Sequence, residues 1–333
     1  MQRQQEQPLI GESPIFLEVL ERASRVAQLN RPVLVIGERG TGKELIAARI
    51  HYLSPRWDRP FVKLNCAALA ASLLETELFG HEAGSFTGAT RRRLGRFELA
   101  NEGSLFLDEL SNTSERVQEK VLRVIEYGEL ERVGGNDTIQ TDVRIIGATN
   151  EDLPALAEQG QFRADLLDRL AFDVITLPPL RERREDIMPL AEHFAVKMAG
   201  ELGMELFQGF SESARESLLD YRWPGNVREL KNVVERAVYR SLDDDQLISA
   251  VSFDPFASPW RPGGVAQGSA SVSDPLPSEA YDFKEYIQNR EVELLTSALE
   301  QCRFNQKKTA EFLGLTYHQL RGYLRKYELT DAD

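Results

Sequence analysis

The stretch VLVIGERGTGKELIAARI, Val33 to Ile50, decides the fold. A short β-branched run comes first, the pattern G-x-x-x-x-G-K follows from Gly37 to Lys43, and a helical pattern begins directly after it. Glycines at these positions let successive backbone N–H groups turn toward phosphate oxygens, and the N-terminus of the following helix adds a positive partial charge. The stretch therefore predicts a strand, a phosphate-binding loop and a helix, with Lys43 reaching the β- and γ-phosphates of a nucleotide.

Four further apolar runs resemble this first strand, and helix-like segments lie between them. The runs occupy residues 61–66, 104–109, 143–150 and 172–177, and one of the helix-like segments covers residues 151–170. Strands that alternate with helices are typical of an α/β fold with a mainly parallel sheet. From Ile187 to about Leu247 the apolar spacing is helical throughout, which predicts a second domain made of helices.

Two acids end the run SLFLDE, Ser104 to Glu109. We expect Asp108 to hold Mg²⁺ through water and Glu109 to orient the attacking water, help that contributes roughly 10²- to 10⁴-fold. Glu44 stands where Ser or Thr usually ligates Mg²⁺, so the metal must depend more on Asp108. Taken separately, the loop could be an ordinary glycine turn and the acids an exposed strand end. Their combination favours an ATP site.

Arg163 and Arg169 lie close together in the segment QFRADLLDRL. One interpretation is a solvated helix face on which Asp165 and Asp168 balance the arginines. The other is a pair of arginine fingers, which neutralise transition-state charge and contribute roughly 10³- to 10⁵-fold. Because fingers often come from a neighbouring subunit, the second interpretation implies a ring.

Composition excludes several classes of protein. The 333 residues carry a net charge of −13, which argues against binding nucleic acid with the whole surface, yet residues 302–327 hold six Lys/Arg against one acid. Without an apolar run of about 18 residues or a signal-peptide core, we expect a cytoplasmic protein with no membrane insertion. Two distant cysteines and four scattered histidines argue against a disulfide framework and show no metal-ligand spacing.

The basic C-terminal stretch predicts a helix-turn-helix. Gly314 allows a tight turn, Thr316 can cap the next helix, and one apolar face is formed by Leu320, Tyr323, Leu324 and Tyr327. The first residues of this helix would face base edges and its Arg/Lys would face phosphates. A small protein-docking bundle is the alternative. The residues expected to bind DNA are Thr316, Tyr317, His318, Gln319, Arg321, Arg325 and Lys326.

The stretch HEAGSFTGATRRR, His81 to Arg93, has the composition of a loop, since Gly84 and Gly88 bracket Ser-Phe-Thr. An exposed aromatic such as Phe86 in a flexible loop usually indicates a partner. The three arginines of residues 91–93 either face DNA or solvate the base of the loop.

Several of these stretches together resemble the bacterial enhancer-binding proteins, AAA+ ATPases that activate RNA polymerase carrying the sigma-54 factor. They are Gly37–Glu44, the GSFTGA at residues 84–89, SLFLDE, FRADLLDRL and WPGNVREL, and the match covers roughly residues 9–247. The resemblance implies an AAA+ P-loop NTPase with a parallel-sheet core, an α-helical lid subdomain and a C-terminal Fis-type helix-turn-helix. Because the match starts at Leu9, we expect no sensory domain before it.

The implied domain boundaries follow the composition. We expect the AAA+ α/β subdomain at residues 1–180 and the lid subdomain at 181–250. A flexible linker rich in Pro, Ser, Gly and Ala would occupy 251–280, and the DNA-binding domain 281–333.

The family also implies roles in the nucleotide site, with ATP and Mg²⁺ as cofactors. Asn65 would pair with Glu109 and switch away with the nucleotide state, while Arg163 and Arg169 would act on a neighbour's nucleotide. Asn150 would sense the γ-phosphate, and Arg228 would be the second sensor, reaching from the helical lid. The residues expected to bind ATP are Ile10, Gly37, Glu38, Arg39, Gly40, Thr41, Gly42, Lys43, Glu44, Asn150 and Arg228.

The implied partners are the sigma-54 RNA polymerase holoenzyme, enhancer DNA, and copies of the same chain in assemblies from a dimer to a hexameric ring. The sigma-54 contact would consist of Gly84, Ser85, Phe86, Thr87, Gly88 and Ala89, beside a second surface loop at Glu129–Gly135. Ser85 departs from the Ala that is commonest at this position, and we expect function to be retained. The chain most resembles the phage-shock branch of the family, whose members are restrained by phage-shock protein A. Trp57 would be a contact for that regulator, or else a half-buried aromatic near a turn.

The leading hypothesis is therefore an ATP-hydrolysing, nucleoid-associated activator that binds upstream enhancer DNA and opens sigma-54 promoters of an envelope-stress response. Two alternatives remain at this point. One is another AAA+ motor, such as a helicase loader or an unfoldase, which would have other pore or insertion loops. The other is a repressor that binds nucleotide without turnover, and replacement of Glu109 distinguishes it, since in an ATPase this should trap bound ATP and abolish turnover.

Overall fold

The computed structural model describes residues 9–86, 89–204, 206–241, 247–257, 283–302 and 305–327. Thr87 and Gly88 of the predicted sigma-54 contact lie outside these residues, as do residues 258–280 of the predicted linker. The chain divides into two compact units, Met1–Pro255 and Phe256–Asp333.

A five-stranded parallel sheet forms the centre of the first unit, and its strand order is β2-β3-β6-β1-β7. All five apolar runs of the sequence form these strands, so the prediction of an α/β fold with a parallel sheet is confirmed. A separate antiparallel pair, β4 and β5, lies outside this sheet. The strands are β1 Val33–Ile36, β2 Phe61–Asn65, β3 Ser104–Asp108, β4 Glu129–Glu131, β5 Thr138–Gln140, β6 Arg144–Thr149 and β7 Val174–Thr176.

Helices cover both faces of the sheet. Alternate residues of β3 show the arrangement, since Leu105 and Leu107 join the core on one face and Phe106 joins the core on the other. Strands buried on both faces account for the continuous apolar runs in the sequence. The helices of this subdomain are α1 Pro14–Ala27, α2 Lys43–Tyr52, α3 Ala71–Phe79, α4 Arg96–Leu99, α5 Glu115–Tyr127, α6 Leu153–Glu158 and α7 Ala164–Leu170.

The prediction of one helix-like segment at residues 151–170 is wrong, because two short helices, α6 and α7, occupy it. Asp152 caps α6 by accepting a hydrogen bond from Ala155 N, and Gly160 has a φ of +70° just after the helix ends. Glycine adopts this left-handed conformation without strain, so the chain turns and a second helix starts after Arg163.

The lid subdomain consists of α8 Ile187–Glu201, α9 Glu212–Asp220 and α10 Asn226–Arg240 around a core of its own. Val251 and Phe253, which the sequence assigns to the linker, pack against this core, and the ring of Phe253 stacks on Tyr221 with centroids 4.2 Å apart. The lid subdomain therefore extends past residue 250, because the apolar side chains of Val251 and Phe253 pack on its core although the surrounding sequence is polar.

The second unit contains α11 Phe283–Gln301, α12 Gln306–Phe312 and α13 Tyr317–Lys326. Its core includes Leu320 and Leu324, which are fully buried, and Tyr323 and Tyr327 pack against it. This is the apolar face that the sequence predicts. Within the described ranges, the helices lack the combination of length and hydropathy that a membrane span requires.

Candidate functional site

The phosphate-binding loop joins the end of β1 to the start of α2. Gly40 and Gly42 have φ values of +80° and +103°, so both adopt the left-handed conformation that the loop requires. The Nζ atom of Lys43 donates to Gly37 O at 2.9 Å, which places the ammonium group over the loop. Burial lowers the pKa of Lys43, while the charges of Glu109 and Asp108 act in the opposite direction. The loop and the two acids therefore belong to one site.

The acids lie at the carboxyl end of β3. Asn65 on β2 is directly opposite Asp108 and donates to its Oδ2 at 3.2 Å. Glu109 has a φ of +51°, which turns the chain, and Arg39 Nε lies 3.8 Å from its Oε1. Mg²⁺ in nucleotide sites keeps several waters and needs one or two carboxylates besides the phosphates, and Asp108 at this strand end fits that requirement.

Glu109 faces Asn150, which directly follows β6. With the amide nitrogen of Asn150 turned toward the carboxylate, it lies 2.5 Å from Oε2 and 3.2 Å from Oε1. The expected pairing of Asn65 with Glu109 is not what the structure shows, because Asn65 is held by Asp108 across the β2–β3 register. The predicted γ-phosphate sensor thus contacts the residue expected to orient the attacking water.

Glu44 accepts a hydrogen bond from Lys63 Nζ at 2.9 Å. On the lid side, Arg228 lies on the first turn of α10, and a Cβ added to Gly40 would lie 3.1 Å from the Cβ of Arg228. Ile10 packs against the lid core. Arg228 of the lid therefore lies beside the phosphate-binding loop, whereas Ile10 is placed by its packing against the lid core.

The loop of residues 81–93 has a closed base. His81 and Arg93 form an antiparallel bridge, Gly84 N donates to Ala89 O at 2.7 Å, and Ala89 itself is buried. Phe86 is 46% exposed, with its ring edge against His81. Ser85 Oγ donates to Glu82 O at 2.8 Å. The aromatic tip is thus available to a partner.

The second surface loop is tied to this first loop. Arg132 is buried and donates to Glu82 at the base of the first loop at 2.8 Å and to Glu98 of α4 at 3.0 Å. A Cβ on Gly134 would lie 2.4 Å from Ser85 Cβ, so only glycine allows this approach. A shift of either loop must therefore move the other.

Comparisons with known proteins agree with this geometry. Residues 9–176 match the model of the sigma-54 interaction domain, 181–262 that of an AAA+ ATPase lid domain, and 287–327 that of the Fis family of bacterial regulatory proteins. The chain belongs to the sigma-54-dependent enhancer-binding activators. These matches do not favour another class of AAA+ motor or a repressor without turnover.

Relatives support the same family. The chain is 58% identical to the Psp operon transcriptional activator of Escherichia coli, covering 96% of this chain and 98% of that protein. It is 47% identical to the Nif-specific regulatory protein of Azotobacter vinelandii, but spans 58% of that longer protein. NtrX from Brucella abortus, solved in complex with ADP, has a TM-score of 0.70 at 33% identity, over 96% of this chain and 68% of NtrX.

Two arginines of this sigma-54 activator that were predicted as fingers lie on the surface of their own subdomain. Arg163 pairs with Asp165 at 2.6 Å and Arg169 with Glu126 at 2.8 Å. Their side chains are 32% and 60% exposed. Arg163 makes a bidentate pair with both carboxylate oxygens of Asp165, whereas Arg169 makes a single hydrogen bond to Glu126, so the local pairing of Arg169 is the weaker one.

The predicted DNA contacts of the activator's helix-turn-helix fall into two groups: side chains that are exposed, and side chains that already have a partner within the domain. Thr316 caps α13, and its backbone N–H and hydroxyl both donate to Gln319 Oε1, so part of the Gln319 side chain is already occupied. Tyr317 and His318 are exposed on the first turn, as are Arg321 and Arg325 farther along the helix. Lys326 Nζ lies 3.5 Å from Glu291 of α11, which already supplies it with an acidic partner.

Trp57 of the activator is 63% exposed after α2, so it is not the half-buried packing residue of the alternative interpretation. Asn226 and Arg181, by contrast, contact the phosphate-binding loop, yet the sequence does not indicate a role for them. The only indication in the sequence is that Asn226 lies in WPGNVREL, one of the stretches that carry the family resemblance. A hydrogen bond to a residue 188 positions away leaves no pattern in a single sequence.

Proposed function

We propose that this activator hydrolyses ATP with Mg²⁺ at the site formed by Lys43, Asp108 and Glu109. Lys43 neutralises the β- and γ-phosphates, Asp108 holds the metal through water, and Glu109 orients the attacking water. Asn150 links Glu109 to the γ-phosphate. The contact between Asn150 and Glu109 is the main support for this proposal, because it joins the proposed γ-phosphate sensor to the carboxylate proposed to orient the attacking water.

Hydrolysis would move the loop of residues 84–89, which would push on sigma-54 within the RNA polymerase holoenzyme and open promoters. The exposed Phe86 and the link through Arg132 to the second loop support this assignment. The helix-turn-helix would bind the upstream enhancer. The 58% identity to a Psp operon activator supports a role in the phage-shock response.

The working form would be an oligomer, up to a hexameric ring, in which Arg163 and Arg169 reach a neighbour's ATP. The exposure of Arg169 and the position of both arginines on the surface of their subdomain support a role across subunits. Phage-shock protein A would restrain the activator through Trp57, whose exposure on the surface suits a protein contact.

The test is promoter opening with purified sigma-54 holoenzyme, enhancer DNA, ATP and Mg²⁺. We expect open complexes that require ATP hydrolysis, and fewer of them after addition of phage-shock protein A. Glu109→Ala should bind ATP, lower turnover roughly 10²- to 10⁴-fold and open no promoter. The proposal is wrong if the wild-type protein shows no ATP turnover, or if Glu109→Ala retains full turnover.

A further inference from the structure

The side chain of Asn226 joins three separate parts of the first unit. It is fully buried, and its Nδ2 donates to Glu38 Oε2 at 3.0 Å and to Arg39 O at 3.1 Å, both in the phosphate-binding loop. Its Oδ1 accepts from Leu180 N at 2.8 Å, where the chain enters the lid. The amide of Asn226 thus donates to the phosphate-binding loop through its nitrogen and accepts from the start of the lid through its oxygen. These hydrogen bonds hold the loop and the lid together.

Other lid residues hold the same loop. Arg181 donates to both carboxylate oxygens of Glu38. At the other end of the loop, Arg183 is buried and its Nη2 donates to Thr41 O at 3.1 Å. A Cβ on Gly40 would lie 2.3 Å from Gly225 O. The lid backbone therefore packs directly on the loop, in a contact that admits no side chain.

The backbone of Asn226 shows that its position is specified by these contacts. Its φ is +51°, a left-handed conformation that asparagine tolerates better than most residues but that persists only where the surroundings impose it. Arg228 follows two residues later on the same helical turn. Contacts that fix Asn226 therefore also fix the position of Arg228 relative to the phosphate-binding loop.

We propose that Asn226 is a positioning residue for ATP hydrolysis, which holds the lid in register with the phosphate-binding loop so that Arg228 meets the γ-phosphate. Glu38 is its partner in the loop. This inference rests on the proposed ATPase function. It assigns to Asn226 an effect on turnover through Arg228, beyond any contribution to folding.

An exchange of the hydrogen-bonding groups tests the proposal. Asn226→Asp keeps the shape and the acceptor for Leu180 N, but it sets a carboxylate against Glu38 and Arg39 O. Because misplacement by about 1 Å can cost 10²-fold in rate, we expect kcat to fall roughly 10- to 100-fold while the affinity for a fluorescent ADP analogue changes far less. In the double variant Asn226→Asp/Glu38→Gln, the glutamine amide can donate to the new carboxylate, and kcat should recover most of the loss.

Asp220→Asn is the matched control. It also exchanges Asp and Asn within the lid, but at an exposed residue that pairs with Arg184. It should keep wild-type kcat and KM. If Asn226→Asp does not fold, Glu38→Ala provides the test. The Glu38 side chain is 43% exposed, so its removal should leave the protein folded, and loss of the hydrogen bond to Asn226 should lower kcat in the same way. Wild-type kcat in a folded Asn226→Asp or Glu38→Ala protein, or loss of ADP affinity alone, would overturn the inference. An inactive wild-type protein would instead contradict the proposed function.

Discussion

Glu109, Trp223 and Asn226 all hold a left-handed backbone conformation with a φ of +51°. For a residue other than glycine this costs about 1–3 kcal/mol, and it persists where surrounding contacts impose it. Trp223 is fully buried and donates from its indole to Leu218 O at 2.9 Å, while Glu109 N donates to Asp108 Oδ1. Strain at these residues thus lies next to Asp108 in the proposed ATP site and in the lid beside the phosphate-binding loop.

His51 is a residue whose burial has a consequence for stability. Its ring stacks on Phe61 with centroids 4.7 Å apart, its Nδ1 lies 2.9 Å from Ser104 Oγ, and burial lowers its pKa from 6.5 to about 4. Between these two values the unfolded chain binds more protons than the folded one, so stability falls as pH drops. Allowing for partial solvation, we expect a loss of about 1–2 kcal/mol between pH 7 and pH 5.

Urea unfolding at the two pH values measures this loss. The control is His51→Gln, which has no proton to take up at this position and should show a smaller pH dependence. An equal pH dependence in both proteins would show that other groups cause it.

At the scale of elements, Arg144 at the start of β6 closes the end of α1. Its guanidinium is buried and donates to the carbonyls of Val26, Ala27 and Arg31 at 2.8 to 3.0 Å. A positive charge at a helix C-terminus is favourable, and removing it leaves buried carbonyls without partners. We expect Arg144→Met to lower the free energy of unfolding by about 3 kcal/mol, as measured by urea denaturation.

The matched control is Arg25→Met in the same helix, since Arg25 is exposed and pairs loosely with Glu21 at 3.8 Å. Its loss should cost less than about 0.5 kcal/mol. Similar losses in the two variants would contradict the assignment of Arg144 as the closing group.

A substitution in the loop of residues 84–89 should separate ATP hydrolysis from sigma-54 binding. We expect Thr87→Ala to keep most ATPase activity but to abolish retention of sigma-54 in the presence of ADP and aluminium fluoride, because the residues proposed to hydrolyse ATP, Lys43, Asp108 and Glu109, are not part of this loop. Ser85→Ala removes only a hydroxyl that donates to Glu82 O, so sigma-54 retention should persist. Equal loss of both activities in Thr87→Ala would place the loop in the hydrolytic site or at a subunit interface.

The elements differ in how far their sequence predicts them. The five parallel strands are visible because burial on both faces demands continuous apolar runs. The β4–β5 pair was not predicted, since ELE and TIQ are short and each has a single apolar residue, Leu130 or Ile139. In the site, the loop and the acids follow from local patterns. The Asn226–Glu38 bond and the Asn65–Asp108 pairing depend on chain packing that a single sequence does not record.

At the scale of the whole molecule, charge is distributed unevenly. The chain carries −13 overall, whereas its last helices are basic, so DNA should be attracted to one end and repelled by the rest. Salt should weaken DNA binding because it screens the phosphate contacts, and its screening of the repulsion from the acidic remainder should offset part of that loss.

This asymmetry leads to a prediction that separates two neighbouring basic residues. In the described part of the chain Arg325 is exposed and has no ion pair, whereas Lys326 lies beside Glu291 and 2.5 Å from the hydroxyl of Tyr327. A cation that already has an acidic neighbour releases fewer counterions when it meets a phosphate. We expect Arg325→Gln to reduce the slope of log K against log salt by about 1, and Lys326→Gln to reduce it by clearly less. Titrations of enhancer DNA at several salt concentrations measure both slopes, and equal reductions would mean that Lys326 leaves Glu291 for the DNA backbone.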